Sequence, residues 1–343
     1  MRKEKDLNGL VMGIEPIQIS VIIPVFGVEK FIERNVRSLL SQSLLNGVEF
    51  IYIDDCTKDR SIDIVKRTIK EYPHRANQVK ILHHQKNRGL PAARNTGLSE
   101  AKGEYIYHCD SDDYIEPEML ELMLSKAKEN SADVVWCDFF LSFETKERIM
   151  KQPPATNVRK ALSDMLSGSM KYNVWNKIVR KEIYTNNCIT FPAGYSMGED
   201  MTMIRLMSKS HTVASVSKPL YHYIRINNSA ISKSYDTDKI NSLDYNVTLT
   251  EKYLRQNITD TIIDQEIDWF LLNSKLPFLY TGNGSDLKLW KELYKESNKS
   301  IFSNKSQSLR TRLLQWCASH NLGIVNRLYY VLVFNILYGK IYK

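Results

Sequence analysis

The chain lacks the glycine-rich loops that cradle phosphate on backbone amides. Its first apolar run, Gln18 to Val25, is followed by Phe26-Gly27-Val28, with neither G-x-G-x-x-G nor G-x-x-x-x-G-K-[ST]. A dinucleotide-binding turn or a P-loop is thereby excluded at that position. Cysteine pairing is also missing. The five cysteines (Cys56, Cys109, Cys137, Cys188 and Cys317) are scattered, odd in number and include no C-x-x-C. Cys109 and Cys137 sit inside apolar runs, where they read as small buried hydrophobes. Zinc-finger spacing and RNA-binding aromatic signatures are absent, so no nucleic-acid partner is expected despite a formal charge of +8. No apolar run is long enough to cross a bilayer: Leu328 to Tyr338 contains an internal Asn335 and falls short of the roughly 20 residues required. The opening Met1-Arg2-Lys3-Glu4-Lys5-Asp6 is charged with no apolar segment behind it, which speaks against a signal peptide. Together these absences fit a reducing, cytoplasmic setting.

What is present is an ordinary globular composition, with 43% hydrophobic and 25% charged residues over 343 positions. That length holds one large domain with an appendage, or two domains. The excess of 47 Lys+Arg over 39 Asp+Glu suits an anionic ligand or a membrane surface. After a polar lead-in over residues 1–16, continuous β-branched runs predict strands at 18–25, 49–53, 79–83, 105–109 and 132–137. Segments with helical spacing separate them at 29–44, 61–71, 91–101 and 117–130. Such alternation argues for an α/β fold, a mostly parallel sheet flanked by helices, whose ligands bind beyond the carboxyl ends of the strands.

Two acidic clusters fall at such ends. The second strand runs into Asp54-Asp55, and the fourth into Asp110-Ser111-Asp112-Asp113. Carboxylates this crowded repel one another unless a cation or hydrogen-bond donors neutralise them. A divalent ion with oxygen ligands, Mg²⁺ or Mn²⁺, is one answer, and a capped helix start is the other. With no glycine loop available, phosphate would be held through such a metal. That arrangement points to a nucleoside diphosphate as ligand.

Four segments then resemble the family 2 glycosyltransferases of the GT-A fold, in the family's order. They are Ser20 to Phe26, Ile53 to Asp59, Asn87-Arg88-Gly89 through Gly97, and Asp110 to Asp113. Trp175-Asn176-Lys177, Phe191-Pro192, Gly198-Glu199-Asp200 and Pro219 to Tyr223 with Arg225 are similar to the acceptor-side segments of bacterial members. The resemblance implies a GT-A domain over residues 17–235, with a nucleotide half to about 113 and an acceptor half after it, then a helical region over 236–343. It implies inverting transfer of a sugar from a nucleotide-diphospho-sugar, UDP by family habit, to a saccharide or lipid-linked acceptor in surface polysaccharide synthesis. Pro24, Val25, Phe26, Glu29, Asp54, Asp55, Asn87, Gly89, Arg94, Asp110 and Ser111 would serve the donor nucleotide. Asp112, with Asp110 and Asp113, would hold the metal, and His222 is a weaker ligand candidate. Asp200 would be the general base, with Glu199 beside it. The same two acids also suit the first turn of the helix that follows. Lys177, Trp175 and Arg225 are candidates for acceptor or phosphate contacts, or for packing and surface charge. One departure is Cys56-Thr57, where many relatives have Gly-Ser. A nucleotidyltransferase acting on sugar phosphates, or an inactive relative that only binds sugar nucleotides, are the alternatives.

From Asp236 the pattern becomes helical, with Lys295 to Ser308 reading as a polar loop. Leu328 to Tyr338, flanked by Arg327, Lys340 and Lys343, suits either a membrane interface or a packing face for the catalytic domain or a second copy.

Overall fold

Alternation along each strand decides which of two apolar cores a side chain enters. The computed structural model describes residues 16–225, 236–260, 262–281 and 283–333, so most of the expected lead-in and the end of the C-terminal apolar run lie outside the described residues. Strand β1 (Ile19–Val25) is buried throughout. Its Ile19, Val21, Ile23 and Val25 enter one core and Ile22 the other. Strand β2 (Val48–Asp54) divides the same way, Phe50 and Tyr52 against Ile51 and Ile53. Helices α1 (Ile32–Leu40) and α2 (Ser61–Ile69) cover the first face, and α3 (Leu90–Glu100) covers the second through Ala93 and Leu98. Gly97 lets α3 lie close, because a Cβ there would come within 2.3 Å of the Ile22 side chain.

The remaining elements are β3 (Val79–His83), β4 (Tyr105–His108), β5 (Tyr114–Ile115), α4 (Met119–Glu129), β6 (Val134–Ser142), β7 (Glu147–Met150), α5 (Val158–Ser167), β8 (Lys177–Arg180), α6 (Lys181–Asn186), α7 (Thr202–Met207) and β9 (Val213–Ile224). The sheet order is β3-β2-β1-β4-β8-β6-β9-β5, with β7 paired to β6. Strands β1 to β4, β6 and β9 run one way, and β5, β7 and β8 run against them. The mostly parallel sheet is therefore as expected, with antiparallel strands concentrated in the second half. There β8 inserts between β4 and β6.

The helical region comprises α8 (Thr237–Asn257), α9 (Ile263–Ser274), α10 (Leu276–Leu279), α11 (Gly284–Glu292), α12 (Leu309–Ser319) and α13 (Gly323–Tyr330). It shares a continuous apolar core with α5, α7 and the α3 side of the sheet, through residues such as Val247, Ile267, Phe270 and Trp290. The segment expected as a polar loop after Lys295 is instead packed. Ser297, Ser300 and Asn304 are buried, because Ser300 donates to Asp268 and Asn304 to the carbonyl of Ser167. Polar composition misleads there, since those side chains satisfy buried groups rather than water.

Candidate active site: an acidic cleft at the strand ends

A cleft of about 790 Å³ opens beyond the carboxyl ends of β1, β2 and β4. One wall carries Pro24, Val25, Phe26, Asp55, Asn87, Gly89, Asp110, Ser111 and Asp112. The facing wall is largely apolar, with Phe139, Leu141, Met150, Trp175 and Tyr223, and Arg94, Glu199 and Asp200 also border the space.

The acidic loop after β4 is held from behind. Asn35 of α1, fully buried, donates its amide to the carbonyls of Asp110 (3.1 Å) and Asp113 (3.0 Å). Asp113 is itself buried, accepting from the Tyr221 hydroxyl at 2.6 Å and the Ile224 amide at 2.7 Å. It ties the loop to β9, and burial with the neighbouring Asp112 and Asp110 charges pushes its pKa up. Asp110 and Asp112 are left facing the cleft. The surrounding protein, and after it the Asp110 charge, push the Asp112 carboxyl up to about 6. Two hard oxygen donors that strain against each other fit a divalent cation. Among the described residues no cluster of three or more His, Cys, Asp or Glu forms a complete cage. The pair therefore suits Mg²⁺ or Mn²⁺ drawing its remaining oxygens from phosphate and water.

The first acidic pair is organised by histidines 29 positions away. Asp55 accepts from the amides of Arg88 and Gly89, both at 2.8 Å, and lies 2.7 Å from His84 Nδ1. His84 reaches on to Thr96 at 2.9 Å. Asp54 pairs with His83 at 2.8 Å and accepts from the Thr57 amide. The Thr57 hydroxyl in turn accepts from the amide of Gly27, fixing the turn beneath Phe26. Cys56 takes a left-handed φ of 61°, a conformation glycine adopts freely.

Arg94 joins the two sides of the site. It is buried, with Nη2 3.0 Å from Asp110 and Nη1 2.9 Å from Asp200 and 3.5 Å from Glu199. Burial works against the guanidinium charge, but Asp200, Asp110 and Glu199 together hold its pKa above the usual value. Burial raises the Asp200 pKa, and Arg94 opposes that rise. Glu199 is raised too, first by burial and then by the Asp200 charge. The turn carrying both acids begins at Gly198, whose φ of 88° is again left-handed. Asn246 of α8 braces it by donating to the carbonyls of Tyr195 (3.1 Å) and Met197 (2.9 Å).

Most residues expected at the site line this cleft, but several do not. Glu29 faces Arg60 and caps the start of α2, and Asp54 and Asp113 serve the scaffold as described. His222 pairs with Tyr114, the residue just after the acidic loop, but does not border the cleft. Its Nε2 lies 2.6 Å from Glu116 and its Nδ1 2.9 Å from Glu147, between the rings of Tyr114 and Phe140, so neither nitrogen is open to a metal. Lys177 is buried and turned inward, donating to the carbonyls of Lys171 and Asn173 and to Asn176, and burial pushes its pKa down to about 7. It shapes the 171–176 turn and does not line the cleft. Arg225 is exposed, its amide bonded to the Ser142 carbonyl. Trp175 does reach the cleft, stacked on Tyr223 at 5.3 Å and on Tyr221 at 4.4 Å. Tyr223, within the segment similar to acceptor-side ones, lines the cleft as well, as do Phe139, Met150, Lys171 and Asn173, which no sequence signal marks. No role is legible in the sequence for His83-His84, because the partner carboxylates are distant in sequence.

Comparison with known proteins agrees with this architecture. The sequence profile described as Glycosyl transferase family 2 matches residues 20–193. The glycosyltransferase EpsH of Bacillus subtilis is 30% identical over 270 residues, covering 76% of this chain and 75% of the relative. Among solved structures, S. aureus TarS 1–349 in complex with UDP-GlcNAc aligns with a TM-score of 0.68 at 19% identity, covering 90% of this chain and 89% of that one. The mannosyltransferase PcManGT of Pyrobaculum calidifontis, in complex with GDP-Man and Mn²⁺, aligns with a TM-score of 0.53 at 15% identity over 93% of this chain and 86% of that one.

Proposed function

Because this chain belongs to glycosyl transferase family 2, and is therefore a glycosyltransferase, we propose that it carries a sugar from a UDP-linked donor to a hydroxyl of a saccharide or lipid-linked saccharide, with inversion, in surface polysaccharide synthesis. The observation that carries the reading is Arg94. One guanidinium spans from Asp110 on the donor wall to Asp200 on the other side, within 3.0 Å of each. In this reading the donor phosphate lies on the Asp110 side of that bridge and the base on the other.

In this reading Asp55 and the 87–89 turn it anchors seat the nucleoside, with Pro24, Val25 and Phe26 packed beside the base. Asp112 and Asp110 would hold Mg²⁺ or Mn²⁺, which when bound would supply positive charge to the leaving diphosphate. Asp200 accepts the proton of the attacking hydroxyl, a role that contributes on the order of 10²–10⁴-fold. Burial makes Asp200 a stronger base than a solvated carboxylate, and Arg94 opposes the rise in its pKa. Tyr223, half-buried at the cleft and backed by the buried Trp175, offers a flat face on which an acceptor sugar ring can rest. The UDP assignment draws support from the UDP-GlcNAc complex of the TarS fold relative.

Release of free nucleoside diphosphate from a panel of nucleotide sugars, with and without Mn²⁺, tests the proposal. Asp112→Ala should abolish metal-dependent donor binding, whereas Asp200→Asn should spare binding and lose turnover. Full turnover in Asp200→Asn would remove the base assignment. Donor release indifferent to metal would remove the metal.

A further inference from the structure

The hairpin formed by α12 and α13 wears its apolar residues outward. In α13 the buried side chain is the polar Asn326, which donates to the Leu314 carbonyl of α12. Ile324, at 67% exposure, Leu328, at 58%, and, just beyond the helix, Leu332, at 56%, face outward. Helix α12 shows the same inversion: Thr311, Leu314, Gln315 and Ala318 are buried, while Leu309, Leu313 and Trp316 are exposed. The Arg310 guanidinium over the Tyr329 ring, with the Asn326–Leu314 bond, sets the two helices antiparallel. Two exposed apolar rows therefore sit on neighbouring helices, where a soluble surface would carry polar groups.

Charge identifies the occupant. Helices α12 and α13 contain no Asp or Glu, yet they carry Arg310, Arg312 and Arg327. A second copy docked on the same face through a two-fold axis would bring these arginines together with no acid of either helix to pair them. An anionic bilayer complements both features, accepting the apolar rows at headgroup depth and attracting the basic residues around them. We propose that the α12–α13 hairpin is a monotopic anchor that lies in an anionic lipid leaflet. This inference is independent of the donor chemistry.

Flotation of the full chain with vesicles tests it, comparing pure phosphatidylcholine with vesicles containing about one-third phosphatidylglycerol. The chain should float with the anionic vesicles and at least tenfold less with the neutral ones. Binding should weaken several-fold as salt rises from about 0.05 to 0.5 M, where screening shortens the reach of the charges. Ile324→Asp with Leu328→Asp should lose flotation while donor binding and circular dichroism stay unchanged. Replacing Arg310 and Arg327 with Gln should remove the lipid preference. No flotation with anionic vesicles at low salt overturns the anchor. So does equal binding to both lipids, or a double Asp variant that still floats. A homodimer in light scattering, dissolved by the same variants without any vesicle binding, would make the face a self-association surface instead.

Discussion

At the scale of single residues, Arg94 is the most exposed to test. Asp200 must be ionised to accept a proton, and burial raises its pKa, so turnover should fall as pH drops through a value above the ordinary carboxylate range. Arg94→Gln removes the cation that opposes that rise. The acid limb of the kcat profile should then move up by about 1 pH unit or more, and an unmoved limb would show that Arg94 does not tune the base. On the facing wall, Tyr223→Ala should raise the acceptor KM about tenfold by removing a stacking face. Donor affinity should stay as it was in a titration of UDP. Cys56 gives a stability test. Cys56→Gly should relieve the left-handed φ and stabilise the chain by a few tenths to about 1 kcal/mol in urea denaturation, because glycine adopts that conformation without penalty.

At the scale of elements, what could be read from the sequence followed burial. Strands β1, β2 and β4 are continuous apolar runs because both faces are covered, so the acids that follow β2 and β4 are legible as strand ends. Strand β8 escaped detection because it opens with Lys177, a charge buried against turn carbonyls rather than pointing to water. Strand β9 is interrupted by Lys218 and Pro219, at a register shift against β6. The histidine partners of Asp54 and Asp55 were illegible because β3 brings them alongside β2 only through the sheet. Close packing of α3 on β1 makes a firm prediction. Gly97→Ala would force a methyl to within 2.3 Å of the Ile22 side chain, and overpacking of that kind costs about 1–3 kcal/mol. Thermal unfolding should show the loss, and an unchanged midpoint would mean that α3 can shift freely.

At the scale of the whole molecule, the helical region reaches the turn that carries the base through α8, by a hydrogen-bonding side chain and by the stacking of Tyr245 on Tyr195. Asn246 of α8 holds the carbonyls of Tyr195 and Met197 just ahead of Glu199 and Asp200. Asn246→Ala should therefore reduce kcat by an order of magnitude or more, with donor affinity unchanged in a binding titration; equal losses in both would place the damage elsewhere. The profile match ends at residue 193, before the acid pair and before its brace. Exchange between relatives should follow that division. A chimera that keeps residues 16–193 and borrows the helical region of another member would inherit its donor from one parent. Its rate, set by how well the foreign helix grips a loop it did not evolve beside, would come from neither.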